Sequence, residues 1–234
     1  MTRLTPKSSA SRAGHLSDEA YARLEELIIT LQLPPGKTVS EAMLSDMLGI
    51  GRTPVREALQ RLVRDGLIVV LPQRGTLVSD IDVTMQLRLL EVRREVERLI
   101  VRLAARRGSS EERKSFAALA ARFDTTAGTA ARTNATDTKR DKAFMRTDRE
   151  FNELCLQASR NEFAANAVGM MHGLCRRFFY AHFREPKVLE CTARLHAALA
   201  RTISEGDEKG AARVLDELMD NNEAVTRITV SSGF

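Results

Sequence analysis

Between residues 34 and 75 the chain is punctuated so closely that no long element can form there. Turn signals fall at Pro34-Pro35-Gly36, Gly49-Ile50-Gly51, Asp65-Gly66 and Pro72-Gln73-Arg74-Gly75. Upstream, from Ser17, Tyr21, Leu24, Leu27, Ile28 and Leu31 recur at helical spacing until the prolines stop the helix. Ser40 is a good N-cap for a short helix through Leu48, with Met43, Leu44 and Met47 on one side. A third helix is expected to open at Thr53-Pro54, Thr capping and Pro taking the first turn, where its missing N–H has no intrahelical role. Its inward residues are Val55, Leu59, Leu62 and Val63, and Asp65-Gly66 ends it. Two β-type runs, Leu67–Leu71 and Thr76–Ser79, flank the last turn signal and read as a hairpin. Three short helices and a hairpin outline a winged helix-turn-helix over 17–80, behind an aperiodic, flexible tail at 1–16.

After Ile81 the pattern is helical almost to the end. A long helix at about 82–107 carries Val83, Leu87, Leu90, Val96, Leu99 and Leu103, and Ser109 or Ser110 caps another ending near Phe123. Asp124–Thr138, rich in Thr, Ala and Asn, is the expected loop. Further helices are expected at about 139–158, 161–183, 187–204 and 207–227, broken by Asn161, Pro186 and Gly206-Asp207. The fold class is therefore mainly α: a winged helix-turn-helix followed by an all-α bundle over 81–234.

Composition excludes several classes. With 43% hydrophobic and 29% charged residues, the 234-residue chain is not wholesale disordered. No apolar run approaches the ~20 residues of a membrane-spanning helix, and polar Met1–Gly14 lacks a signal-peptide core. Cys155, Cys175 and Cys191 form no CxxC pair, which suits a reducing compartment. The expectation is a cytoplasmic protein. The net charge of +5 is a weak hint of an anionic partner, so placement must decide.

On the third helix, Arg52, Arg56, Gln60 and Arg64 recur every four residues and share one face opposite the apolar one. Such a helix can lie in a DNA major groove, where Arg bonds bidentately to guanine. Thr53 and the free amides of the first turn suit a phosphate, and Arg74-Gly75 at the hairpin tip suits the backbone or minor groove. Residues 1–80 hold 10 Lys/Arg against 9 Asp/Glu, whereas 51–75 hold five Arg against Glu57 and Asp65. Local placement carries the argument; a solvated Arg face on an ordinary helix is the plainer alternative.

The string Gly51-Arg-Thr-Pro-Val-Arg-Glu-Ala-Leu59, with Arg61-Leu62, Asp65-Gly66-Leu67 and Gln73-Arg74-Gly75-Thr76, closely resembles the GntR family of bacterial transcription regulators. The resemblance implies DNA contacts from Arg52, Thr53, Arg56, Arg74 and Gly75, to which the shared face adds Gln60. Gly51 replaces the usual Ser or Thr, and Ala42 stands where many relatives carry Arg.

The helical half resembles the C-terminal ligand-binding domain of the FadR-type branch, the FCD domain. The matching residues are Glu91-Val-Arg93 with Glu97, Asp148-Arg-Glu-Phe-Asn152, Ser159-Arg-Asn161, His196 and Gly206-Asp207. That resemblance implies an effector- and dimer-forming domain, and in many members a divalent metal such as zinc held by an Asp, a His four residues on, and two more His. Here Asp148 and His196 match, while Asn152 and Leu218 occupy the two other His positions, so the metal set Asp148, Asn152, His196 is incomplete. Asn222, one turn after Leu218, is a substitute if the register differs. The expectation is a polar pocket holding an organic anion, probed by Arg93, Asp148, Asn152 and His196, directly or with a weakly held metal. For Arg93 an intrahelical ion pair with Glu97 is the equal alternative. Arg176 and Arg177 have an inward or a surface role, the latter being commoner. A Cys2His2 site from His172, Cys175, Cys191 and His196 is disfavoured, because the second pair does not share a helical face.

Together these imply a ligand-responsive, homodimeric DNA-binding regulator, a repressor released from a palindromic operator by a small carboxylate, with no membrane partner and no catalytic residues. The alternative is a metal-assisted hydrolase in the helical half with an N-terminal recruitment module. No HExxH, nucleophile elbow or Gly-rich phosphate loop supports it. A sequence-indifferent architectural binder requires a Lys/Arg enrichment that is absent.

Overall fold

The computed structural model describes residues 9–133, 135–182 and 185–231. Contacts divide the chain into two compact units, parting between Ile81 and Asp82. Among the described residues, no helix is long and apolar enough to cross a membrane.

The first unit runs α1 (Ser9–Ile29), β1 (Thr38–Val39), α2 (Glu41–Leu48), α3 (Arg52–Arg64), β2 (Ile68–Leu71) and β3 (Gly75–Val78). Helix α1 begins at Ser9, so Ser9–Leu16 of the expected tail is helical; residues 1–8 of that tail lie outside the described residues. The core joins Ala20, Leu24 and Ile28 of α1 to Leu44 of α2, Val55, Ala58 and Leu62 of α3, and Leu67, Ile68 and Val78. Polar clamps fix α1 against α3: Tyr21 Oη donates to Asp65 at 2.6 Å, and the Arg61 guanidinium lies 4.2 Å over the Tyr21 ring while pairing with Asp18.

Ser40 caps α2, accepting from Met43 N, and Gly49 closes it at φ 66, where a Cβ is disfavoured. Helix α3 starts earlier than Thr53-Pro54 suggested. Its N-cap is Gly51, whose carbonyl accepts from Val55 N, so Thr53 sits inside the first turn and does not cap. Val63 is 38% exposed, correcting its inward assignment, because it is one residue round the helix from buried Leu62. Met47 likewise points outward. The hairpin forms with Leu71 opposite Gly75. No sequence signal marks β1, which pairs antiparallel with β3 through Thr38 and Leu77 and makes β3 the central strand.

The second unit is helical: α4 (Val83–Arg107), α5 (Ser110–Ala130), α6 (Thr138–Ser159), α7 (Glu162–His182), α8 (Pro186–Glu205) and α9 (Glu208–Ser231). Helix α5 packs along α8 and α4 along α9, with α6 and α7 laid against α4. Asp82, Ser109 and Asp137 cap α4, α5 and α6, and Ser109 forms a reciprocal capping box with Glu112. The expected loop at 124–138 is helical as far as Ala130. Thr125, Thr126 and Thr129 return their hydroxyls to carbonyls four residues back, and Ala127 and Ala130 are buried. The core holds a phenylalanine cluster of Phe116, Phe123, Phe144 and Phe151 with ring centroids about 6 Å apart edge to face.

One side chain binds two helix ends. Arg113, on α5, donates to the carbonyls of Ala105 (2.6 Å) and Gly108 at the end of α4, and to Ile203 and Ser204 (3.4 Å) at the end of α8. Gly206 follows at φ 77, and a Cβ there would collide with Arg113 Nη1.

Candidate functional site

In the first unit, one face of α3 buries Val55, Ala58 and Leu62 and the opposite face exposes Arg52, Thr53, Arg56, Gln60 and Arg64. Packing therefore fixes the helix while leaving the predicted reading face bare. Arg74 and Gly75 are exposed in the β2–β3 hairpin, where Gln73 and Gly75 take positive φ. Arg56 is held across the α2–α3 turn: its Nε and Nη2 donate to the two Glu41 carboxylate oxygens at 2.9 and 3.0 Å. That hydrogen-bonded guanidinium holds the Glu41 carboxyl below its ordinary range. The sequence reading did not single out Glu41, although its position one residue after the α2 N-cap, facing the next helix, was the available signal.

In the second unit, five helices line an open cavity of about 530 Å³, a volume that includes the solvent at its mouth. Arg93 from α4, Asp148 and Asn152 from α6, His172 and Arg176 from α7, His196 from α8 and Asn222 from α9 all line it, beside Phe144, Phe178 and Phe179. All four predicted ligand residues thus meet in one place. A smaller adjoining cavity shares Arg93, Asn152, His172 and His196 and adds Glu97 and Leu218.

Two buried acid-centred clusters organise this space. In the first, Arg93 donates Nε and Nη2 to Glu97 at 2.6 and 3.3 Å, and His172 Nε2 lies 2.9 Å from Glu97 Oε1. Burial pushes the Glu97 carboxyl up, yet Arg93 and His172 outweigh it and bring the pKa down to about 2. Burial opposes the charged Arg93 as well, and Glu97 more than offsets it, raising the guanidinium pKa. Arg93 therefore makes the intrahelical pair with Glu97, and it also lines the cavity.

In the second cluster, Asp148 Oδ1 lies 3.0 Å from His196 Nε2, while Oδ2 accepts from Asn152 Nδ2 at 3.2 Å and faces Arg176 Nε at 3.7 Å. His196 Nδ1 lies 2.8 Å from the Thr192 carbonyl, a contact that a hydrogen on Nδ1 satisfies and that fixes the ring with Nε2 toward Asp148. Burial pushes the Asp148 carboxyl up; the His196 bond, then Arg176 and Arg93, outweigh it and leave it lowered.

The donor set does not fit the divalent metal that the resemblance implies. Asp148 and His196 are bonded to each other, Asn152 spends an amide N–H on Asp148, and Leu218, 3% exposed, is apolar. Among the described residues, no group of three or more His, Cys, Asp or Glu is placed to hold a metal ion. The Cys2His2 alternative fails likewise: Cys191 is exposed and donates to Asn221, whereas Cys175 is buried.

Three cavity residues, His172, Arg176 and Asn222, were missed or underweighted, as was the neighbouring Arg177. Arg176 and Arg177 are buried, at 9% and 1% exposure, against the expectation of a surface role. Asn222 Oδ1 is buried without a hydrogen-bond partner. His172 appeared only in the zinc alternative. Asn161 caps α7 through Ala164 N, as its type suggested.

A winged helix-turn-helix with a bare Arg/Gln reading helix, carried in one chain with a helical unit around a charged cavity, defines a DNA-binding regulator with a sensor module. Comparison with known proteins gives the family. The model for bacterial regulatory proteins of the gntR family matches residues 16–78, and that for the FCD domain matches residues 88–221. The chain belongs to the GntR family, in its FCD-containing form, and is a transcription regulator. It is 23% identical to the HTH-type transcriptional repressor RspR of Escherichia coli (strain K12), over 96% of this chain and 95% of that protein. It is 42% identical over 64 residues to an HTH-type transcriptional regulator in an unstable DNA locus of Streptomyces ambofaciens, a match spanning 27% of either chain. A 41% identical match to an HTH-type regulator of Agrobacterium vitis spans 40% of that relative. The solved structure of E. coli McbR/YncC shares the fold, with a TM-score of 0.71 at 20% identity over 92% of this chain and 98% of that one.

Proposed function

We propose that the chain is a homodimeric repressor that two α3 helices hold on a pseudo-palindromic operator, and that a small organic acid in the helical cavity releases it. A two-fold dimer sets the reading helices about one DNA turn apart. The observation that carries the DNA reading is the bare face of α3 backed by a fully buried one. Arg52, Arg56, Gln60 and Thr53 are assigned to base edges and nearby phosphates, Arg74 and Gly75 to the flanking backbone or minor groove. Dimerisation is supported by apolar side chains left outside: Val92 and Leu99 on α4, and Phe163 (79% exposed) and Met170 on α7.

The effector reading is supported by two guanidiniums, Arg93 and Arg176, lining one cavity with aromatic walls. The buried Asn222 Oδ1 calls for a donor, so the acid carries a hydroxyl or amino group. By linkage, ligand and DNA alter each other's affinity. The site of action is the cytoplasm, where the operator is. The hydrolase alternative gains no support, since its metal ligands do not assemble among the described residues.

The test is selection of bound fragments from random-sequence DNA, beside an Arg52→Ala/Arg56→Ala variant. A palindromic motif with the wild type that vanishes in the variant is expected. The same motif from both proteins would remove α3 from the reading role, and a non-palindromic motif would remove the symmetric dimer.

A further inference from the structure

We propose that the helical cavity is metal-independent, and that Arg176 supplies beside Asp148 the positive charge that a divalent cation would supply. The proposal follows from the donor set and does not depend on the effector reading given above.

A divalent transition metal needs three or four lone pairs converging on one point. At Asp148 both carboxylate oxygens are already engaged by neighbouring side chains. Its Oδ1 lies 3.0 Å from His196 Nε2, and its Oδ2 takes the Asn152 amide N–H at 3.2 Å. The guanidinium of Arg176 stands 3.7 Å from that same Oδ2, with its side chain 10% exposed. Asn152, turned with its amide N–H to the carboxylate, has only a neutral amide oxygen to offer, a poor ligand for zinc, and Leu218 brings only methyl groups among Leu199 and Leu215. A second guanidinium, Arg93, shares the cavity and contributes to lowering the Asp148 carboxyl. The two guanidiniums stand opposite the two buried carboxylates, Glu97 and Asp148, so the negative charge that would draw a divalent cation is already balanced by the chain's own cations. The fold nevertheless keeps the frame of a metal site. Asn152 sits one helical turn after Asp148, His196 has Nδ1 tied to a backbone carbonyl, and Asn152, His196 and Leu218 line one common cavity.

That combination makes the inference testable in both directions. Full-length protein, dialysed against a chelator and then freed of it, is titrated with zinc chloride by calorimetry, with bound zinc counted by elemental analysis after gel filtration. The wild type is expected to retain no stoichiometric zinc. Asn152→His/Leu218→His, which restores a ligand at both positions, is expected to take up one zinc per chain with affinity higher by on the order of 100-fold or more. Stoichiometric zinc in the wild type that is lost in His196→Ala would overturn the proposal. So would a double variant that is folded by circular dichroism yet binds no better than the wild type, because the two positions would then not be what closes the site to metal. If the double variant fails to fold, Asn152→His alone is read by the same count, with a smaller gain expected and no gain overturning the proposal. None of these readouts uses DNA, so a failed operator selection and a failed metal test remain separate results.

Discussion

Replacing Glu97 by Gln should cost the helical unit several kcal/mol, and two independent routes give the same size. Arg93 and Glu97 are 8% and 6% exposed, and Glu97 is also the partner of His172 at 2.9 Å. Removing one charge of such a pair leaves the other buried and uncompensated, typically about 3–5 kcal/mol. The second route is linkage. The Glu97 pKa falls from 4.5 to about 2 on folding, which at ~1.4 kcal/mol per unit is about 3 kcal/mol. Because the folded pKa is depressed, this stability is fully present above the unfolded pKa and is lost as pH falls through the folded one. Urea unfolding followed by circular dichroism should therefore show the Glu97→Gln deficit at about pH 7 and roughly half of it at about pH 3. Gln preserves the shape of Glu, so no cavity term enters. The double change Arg93→Met/Glu97→Leu removes both charges and should cost less than Glu97→Gln alone. A single-variant deficit under about 1 kcal/mol, or one independent of pH, would refute the claim that this pair is held charged in a dry interior.

Other perturbations separate the roles of the two units. Arg52→Ala should cost about 1–3 kcal/mol on the selected operator and relax base preference, measured by binding to single-base operator variants; equal loss on every sequence would reduce Arg52 to a phosphate contact. Glu41→Gln frees Arg56 from its carboxylate and adds positive charge to the reading face, so binding to random DNA should tighten and its salt dependence steepen while operator preference falls; unchanged salt dependence and preference would show that the Glu41–Arg56 contact does not persist in solution. Asp148→Ala should leave operator affinity of the ligand-free protein near wild type while blunting release by cellular small-molecule extract, and an unaltered release would take Asp148 out of the sensing cavity.

The parts that were legible in the sequence are those whose signals are local. Ser40, Gly49, Asp65-Gly66 and the four-residue spacing of Arg52, Arg56, Gln60 and Arg64 each act within a turn or two of chain, and α2, α3 and the hairpin follow from them. Strand β1 did not show, because its two residues owe their conformation to Leu77 and Thr76, far along the chain. The sequence ends α5 near Phe123 because Thr weakens helices in isolation; burial of Ala127 and Ala130 against the rest of the unit overrides that preference. At the cavity, Arg93, Asp148, Asn152 and His196 were named from a family pattern, and the structure brings them together. Arg176 was weighted toward the surface because its partner, Asp148, belongs to another helix. Composition speaks for an arginine's usual place, and only the fold supplies the carboxylate that draws one inward.

The Arg113 guanidinium, shared between the carbonyl ends of α4 and α8, has a dynamic consequence. The last turn of a helix ordinarily frays alone, at little free-energy cost, because its final carbonyls lack partners. Here one cation completes the hydrogen bonding of two such ends and neutralises the negative pole of both. Neither end can loosen without withdrawing the group that steadies the other. The amides near Ala105 and those near Ile203, about a hundred residues apart in sequence, should therefore exchange their hydrogens with deuterium as a single cooperative unit. Arg113→Met should make both ends exchange faster together while leaving mid-helix amides of α5 protected.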